Sequence, residues 1–463
     1  MQFTQRIPAR ISRYQNRQVV APSRRALDGL DWATLCVGLT ASFSVTLIGT
    51  IQVSEILMFI LLPYLLVTQR HKWMSPGMKM VYVMMGFWLL GQILTDIYRD
   101  TVARNWMRGD ARIIFFALNL ATLTMLLSKS VRRQALFIGG YGAGSLLAAR
   151  LQPSSAIGDY PWKFGYAEGT MVLVILLSCY FHYKRRYWAA ALLLGALVAT
   201  NLVLNFRSPI LFLLVTIALA IPIVPERIGR LRILPEAGTR KRVFALVCIA
   251  FVFMGSSEWL VKFASRAGLV SADAQEKNMA ESESSVGLLL GGRPEIFVSS
   301  RAVMESPILG YGSWAQDLKY NEMLYDIDVK YNIPTDSLES IEDAGGQTIP
   351  AHSHIMSTWV QSGILGAVFW AYILWLAIRG LLRTALVQPP LSPYYIWLLA
   401  GFVWAVLFSP FGNTRRAIDS LVILIALEVM ELYPKGDDTH RFRSRGAWKR
   451  TPSRRGLVQA AEN

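Results

Sequence analysis

The sequence predicts an all-α polytopic membrane protein of about twelve transmembrane helices, with one large, partly helical loop on the outer side. Three observations carry that expectation. The 463 residues are 53% hydrophobic, and the mean hydropathy is +0.36. The apolar residues gather into separate runs of near-spanning length rather than into amphipathic stripes around one core. The basic residues fall in alternate links between those runs, which is the pattern that orients a membrane chain.

Residues 1–31 come first and contain Arg6, Arg10, Arg13, Arg17, Arg24 and Arg25. They read as a basic cytoplasmic tail attracted to anionic headgroups. With few aromatics and no folded module, they do not read as a nucleic-acid arm. The stretch is long and Arg-rich for a signal-peptide n-region, and the next apolar run leads straight into another, so no cleavable signal of the usual form is expected.

The runs fall near 32–49, 51–68, 80–95, 111–128, 134–150, 166–182, 187–203, 208–224, 243–260, 355–378, 394–410 and 415–431. A spanning helix needs about 20 residues, with about 17 as a lower limit, so boundaries are expected to shift by a few positions. Residues 32–260 would hold transmembrane helices one to nine, and 355–431 helices ten to twelve. Cys36, Cys179 and Cys248 all lie inside these runs. They supply neither a disulfide framework nor metal-ligand spacing, and are expected to be small core residues.

Placing both termini in the cytoplasm puts inside the first tail, the links at 69–79, 129–133, 183–186 and 225–242, Arg379 and Arg383, and the basic tail 432–463. That set holds 31 of the 47 Lys and Arg. The formal charge of +16 is therefore mostly a topology signal, and no nucleic-acid partner is implied. The outer links then include 96–112, rich in Asp and Arg, the aromatic stretch 151–165, and tight turns at 204–208 and 411–416.

The same topology sends residues 261–354 outward. These 94 residues contain 14 Asp and Glu against 7 Lys and Arg, and a segment this long has room for helices and a binding surface. A helix is expected over roughly 295–305.

Ionisable residues near spans carry functional expectations because an unpaired buried charge is expensive. Arg207 opens the eighth run after a short turn; it either snorkels to headgroups or faces a substrate. Arg293, between two glycines and Pro294, presents a planar guanidinium suited to phosphate oxygens, or else pairs with a nearby acid. In SPILGYG, Pro307, Gly310 and Gly312 signal a loop or cap. Tyr311 and Trp314 beside it would stack on sugars or anchor at the interface.

His352 and His354 precede the tenth span. Their spacing lacks a third metal ligand, so neither metal nor cofactor is expected. A neutral imidazole at the outer surface can take a proton from a sugar hydroxyl near neutral pH; otherwise the pair is interfacial and caps the next helix. Arg207, Arg293 and His352 are the minimum set for attack of an acceptor hydroxyl on an anomeric carbon held by lipid pyrophosphate, with the arginines countering the charge that develops on the leaving group.

The chain resembles the O-antigen ligase and polysaccharide polymerase superfamily of multispanning glycosyltransferases. The resemblance rests on NFRSPI at 205–210, GGRPEIFVSSRAVMESPILGYG at 291–312 and HSHIMSTWVQSGILGAVFW at 352–370, within the plan of about twelve spans and one large loop in the second half. It implies a GT-C-like fold in the bacterial inner membrane, the large loop in the periplasm, and inverting, nucleotide-independent transfer of glycan from undecaprenyl pyrophosphate. The acceptor would be lipid A-core or another glycan, and envelope polysaccharide assembly proteins the expected partners.

The register, a histidine eleven residues before a glycine, selects His352 and Gly363, with Arg207 and Arg293 as the catalytic arginines. It leaves His354 as an extra or supporting residue, counted with Tyr311 and Trp314 among the further substrate contacts. Ser353 stands where Asn is frequent, and QSGILG lacks an acid two positions before its glycine. That departure brings a polymerase of exopolysaccharide, capsule or O-antigen units level with a ligase. An export channel or flippase shares the span count but does not require Arg293 and His352 on one outer loop.

Overall fold

A computed structural model describes residues 26–46, 49–153, 157–158, 160–204, 206–221, 293–331 and 348–432. The predicted span at 243–260, the link at 225–242, Gly291, Gly292, Cys248 and most of both basic tails lie outside the described residues.

Helices dominate: α1 Gly29–Thr40, α2 Val53–Thr68, α3 Arg70–Trp73, α4 Pro76–Tyr98, α5 Ala103–Leu127, α6 Val131–Leu151, α7 Ala167–Tyr183, α8 Tyr187–Val203 and α9 Arg207–Ala220. After the large loop begins come α10 Glu295–Glu305, α11 Leu318–Lys330, α12 His354–Val387, α13 Ser392–Phe408 and α14 Arg416–Leu432. Apart from 32–49, each predicted apolar run inside the described residues falls mainly on one of these helices. Among the described residues, four helical stretches are long and apolar enough to cross a membrane: Pro76–Tyr98, Ala103–Leu127, Trp162–Tyr183 and His354–Val387. Shorter apolar helices are Val53–Thr68, Tyr187–Val203, Arg207–Ala220 and Ser392–Phe408.

Four local expectations are corrected. The run 32–49 is not one helix: α1 stops at Thr40, and β1 Ser44–Thr46 pairs antiparallel with β2 Thr50–Gln52. Val45, Thr46, Thr50 and Ile51 are β-branched and suit a pleated hairpin. Residues 103–112, expected in an outer link, form the first turns of α5. Arg379 and Arg383, assigned to a cytoplasmic link, lie within α12, and Arg379 sits over the Trp375 ring at 4.6 Å. Of the two cysteines described, Cys179 is buried, but Cys36 faces outward from α1.

Local chemistry accounts for several helix starts. Asp28 and Asp31 form a reciprocal capping box on α1, satisfying N–H groups that have no partner inside the helix. Ser75 accepts from Met78 N with Pro76 at the first helical position of α4. A π-helical turn, Trp162–Tyr166, leads into α7, and the Trp162 indole donates to Asn201 Oδ1 on α8 at 3.1 Å.

α1 packs along α6, α4 along α12, and α12 also packs on α13 and α14. Beneath the loop end of the bundle the core is aromatic. Trp88 stacks on Phe369 at 5.0 Å, and Trp370 meets Trp88, Phe411 and Phe116 at 5.6, 4.9 and 6.1 Å. A buried ion pair ties three helices: Arg416 Nε and Nη2 donate to the two oxygens of Glu55 at 2.6 and 2.7 Å, and Asn119 adds a third donor at 2.8 Å.

Candidate active site

The site is built around a break in α12. Gly363 has φ +67° and ψ −159° inside this 34-residue helix, a combination open to glycine and strained for side-chain-bearing residues. Where the helical ladder breaks, backbone groups of α12 become free to bond the SPILGYG loop. Tyr311 N donates to Val360 O at 2.7 Å, Gly312 N to Gln361 O at 3.1 Å, and Ile364 N to Ile308 O at 3.0 Å. The loop's own Gly312, at φ +91°, allows close passage past Thr101 and Asp96. Irregular backbone within a membrane helix is tolerated where protein satisfies it, and here the loop does so.

α4 clamps the loop from the other side. Asp96, fully buried, accepts from Ser313 N and Ser313 Oγ, both at 2.6 Å. Gln92 donates to Ser313 Oγ at 2.7 Å and accepts from Ser362 Oγ at 2.5 Å, while the Trp88 indole donates to Ser362 Oγ at 3.1 Å. Thr95 Oγ1 donates to Leu309 O, Arg99 Nε to Gly310 O at 2.9 Å, and Arg112 Nη2 to Gln361 Oε1 at 2.8 Å. The loop, α4 and the broken helix thus form one hydrogen-bonded unit.

A small satellite core holds the next layer. Val298, Ala302 and Val303 of α10 bury against Tyr320 of α11, Ile349, and Val360 of α12. Glu305 at the end of α10 draws α11 in, accepting from Lys319 Nζ at 2.7 Å and from Tyr320 Oη at 2.6 Å. These charge-assisted bonds hold its carboxyl well below the usual carboxylate range. An isolated bridge between Gln316 and Thr348 and the bond from Ile349 N to Ala315 O at 2.9 Å lay the strand leading to His352 beside the same loop.

The helix expected at roughly 295–305 is α10, and Arg293 stands just before it. His352 Nδ1 lies 3.8 Å from Glu295 Oε1, with the His352 side chain 39% exposed. Partial burial lowers the His352 pKa below its ordinary value; the Glu295 charge opposes that shift and the Arg293 charge adds to it. The structure therefore brings Arg293 and His352 within electrostatic reach of each other. Arg207 is half-buried at the start of α9, a helix packed on α8 and α13. Tyr311 Oη shares a 2.5 Å hydrogen bond with Tyr320 Oη, and the Arg99 guanidinium lies 5.0 Å from the Tyr311 ring centre. Trp314 takes φ +54° and receives Arg108 over its ring at 4.2 Å.

His354 belongs elsewhere. Its side chain is 0% exposed, with Nδ1 on Ser409 O at 2.6 Å and Nε2 on Asp419 Oδ2 at 3.1 Å. Trp370, Phe411 and Phe402 surround the ring. Both nitrogens are thus engaged inside the bundle, which corrects the expectation of His354 as a substrate contact. Capping of α12 falls to Ser353, whose Oγ accepts from Met356 N at 3.2 Å, and not to either histidine.

Several residues of this unit were not singled out by the sequence reading. Glu295 stood unassigned inside GGRPEIF, and Asp96, Arg99, Arg108 and Arg112 were only charges of an outer link. Asp317 caps α11 by accepting from Lys319 N at 3.1 Å. Asp328 of α11 is 5% exposed, and burial, helped by the Glu295 charge, pushes its pKa up to about 6. Among the described residues, no group of three or more His, Cys, Asp or Glu is arranged to hold a metal ion.

No curated protein matches the chain. Residues 202–371, the stretch that holds Arg207, Arg293, the docked loop, His352 and the break at Gly363, match the family model described as O-antigen ligase (Wzy_C), and it is to that family that this chain is similar.

Proposed function

We propose that this protein is an O-antigen ligase-like glycosyltransferase of the bacterial inner membrane, moving glycan from undecaprenyl pyrophosphate to an acceptor hydroxyl. The family match and the apolar helices support a membrane enzyme of the ligase or polymerase type in cell-surface polysaccharide synthesis. The observation that carries the finer reading is His352 set against Glu295 at the start of α10, within reach of the Arg293 charge, beside the loop docked at Gly363.

In the proposed reaction His352 is the general base. Its lowered pKa keeps the imidazole neutral at physiological pH, the state that can accept a proton. The acceptor oxygen loses its proton to His352 and bonds to the anomeric carbon. The bond from that carbon to the pyrophosphate oxygen breaks, and the electron pair leaves with undecaprenyl pyrophosphate. Arg293 and Arg207 counter that charge, as guanidinium groups suit phosphate oxygens. The positive-inside pattern supports a periplasmic placement of this face, with both termini cytoplasmic.

A polymerase reading is favoured by one observation, the QSGILG sequence around the Gly363 break, which lacks an acid two positions before its glycine. Reconstitution with native lipid-linked glycan and two acceptors separates the readings. Product on lipid A-core identifies a ligase. A lengthened glycan still bearing one lipid pyrophosphate identifies a polymerase. Glycan crossing the bilayer with no bond formed would replace both by transport.

A further inference from the structure

Glu295 occupies the first turn of α10, where the helix dipole and free N–H groups favour a carboxylate. The satellite core under Val298 and Ala302 fixes that turn against the start of α12, so Glu295 and His352 face each other from two anchored elements. Glu295 Oε1 is 3.8 Å from His352 Nδ1, longer than a hydrogen bond and short enough to tighten into one when the ring gains charge. Glu295 Oε2 is buried with no hydrogen-bond partner among the described residues, and so is Asp328 Oδ1. Buried carboxylate oxygens left unpartnered are costly and uncommon. The carboxylate of Glu295, set against His352, is held ready for a charge that arises only during turnover.

We propose that Glu295 is a positioning residue for His352: it holds the Nδ1 edge of the imidazole so that Nε2 is the nitrogen that takes the acceptor proton. This rests on the reading of His352 as the base. A neutral histidine with Nδ1–H toward Glu295 presents a bare Nε2, the orientation a carboxylate imposes on an imidazole. When Nε2 takes the proton from the acceptor hydroxyl, the resulting imidazolium faces Glu295 and its positive charge is offset in place. Arg293 acts in the opposite sense, so the charged groups set on His352 are Glu295 and Arg293. After the glycan has bonded and the lipid pyrophosphate has left, the imidazolium returns its proton to solvent.

The test uses the full chain in lipid nanodiscs with ¹⁵N-labelled histidine. In the unaltered protein His352 should show the Nδ1–H tautomer. In Glu295→Gln and Glu295→Ala the tautomers should mix and the His352 titration should move to lower pH. Turnover should fall on the order of 10²-fold, the lower range for general-base catalysis, with the donor KM held within about twofold, and Glu295→Asp should recover part of the loss. Unchanged tautomer and titration in both variants would overturn the proposal, whether or not the chain turns over. A shifted titration in a protein that transfers glycan to neither acceptor would leave the Glu295 contact standing and overturn the glycosyl-transfer reading instead.

Discussion

Replacing Gly363 by alanine perturbs the point on which the site is assembled. The backbone there, at φ +67° and ψ −159°, costs a side-chain-bearing residue about 1–3 kcal/mol in strain. A Cβ would stand 1.9 Å from Ile308 O and 2.6 Å from Ile308 C. Both are backbone atoms, so no rotamer change relieves the clash. Restoring ordinary contact at about 3.5 Å requires a shift of roughly 1.5 Å. That displacement breaks the bonds from Ile364 N to Ile308 O, Tyr311 N to Val360 O and Gly312 N to Gln361 O, each worth about 1 kcal/mol net. Undocking of the 306–313 loop should therefore become more favourable by about 4–6 kcal/mol. Limited proteolysis in detergent, read by mass spectrometry, should show faster cleavage within 306–317 and a loss of transfer. Ile308→Ala, which trims a 70% exposed side chain and keeps the backbone, is the control and should behave as the parent. If Gly363→Ala is cleaved no faster and transfers glycan within twofold of the parent, the reasoning about the broken helix fails.

Other perturbations separate structure from chemistry. His354→Ala removes the partner of Ser409 O and one partner of Asp419 and opens a hole among Trp370, Phe402 and Phe411; it should cost about 2–4 kcal/mol, seen as a lowered melting temperature in detergent. Glu55→Ala leaves Arg416 buried without its carboxylate and should destabilise by about 3–5 kcal/mol, measured the same way; a parent-like melt would refute the pair's structural weight. The pH profile of kcat/KM should lose activity on the acid side as His352 protonates, and because burial lowers its pKa, the half-point should lie below the ordinary histidine value of about 6.5. An acid limb centred above that value would contradict the assignment.

The helices were largely legible because membrane spans announce themselves by local hydropathy. α10 was legible from GGRP followed by an amphipathic turn, and the loop from Pro307, Gly310 and Gly312. The failures have physical causes. The 32–49 run carries no charged residue, and hydropathy alone does not distinguish a spanning helix from a helix followed by a β-branched hairpin. Residues 103–112 carry charges that read as a link, yet they form the first turns of α5. Asp96 and Ser313 are 217 positions apart, and no local pattern announces such a pairing. His352 and His354 look interchangeable in sequence. They part because Ser353 caps α12 between them, sending His354 into the aromatic core and leaving His352 on the strand before the helix, opposite Glu295.

The most direct test of the proposed chemistry compares His352→Ala and Arg293→Ala in proteoliposomes with the native undecaprenyl-pyrophosphate glycan, measuring donor binding and product formation separately. His352→Ala should bind donor at close to parental affinity and form no product, since only the proton acceptor is gone. Arg293→Ala should weaken donor binding, since the cation proposed to counter the pyrophosphate charge is gone. Full product formation by His352→Ala, or unchanged donor binding and turnover in Arg293→Ala, would contradict the assignment of transfer to this site.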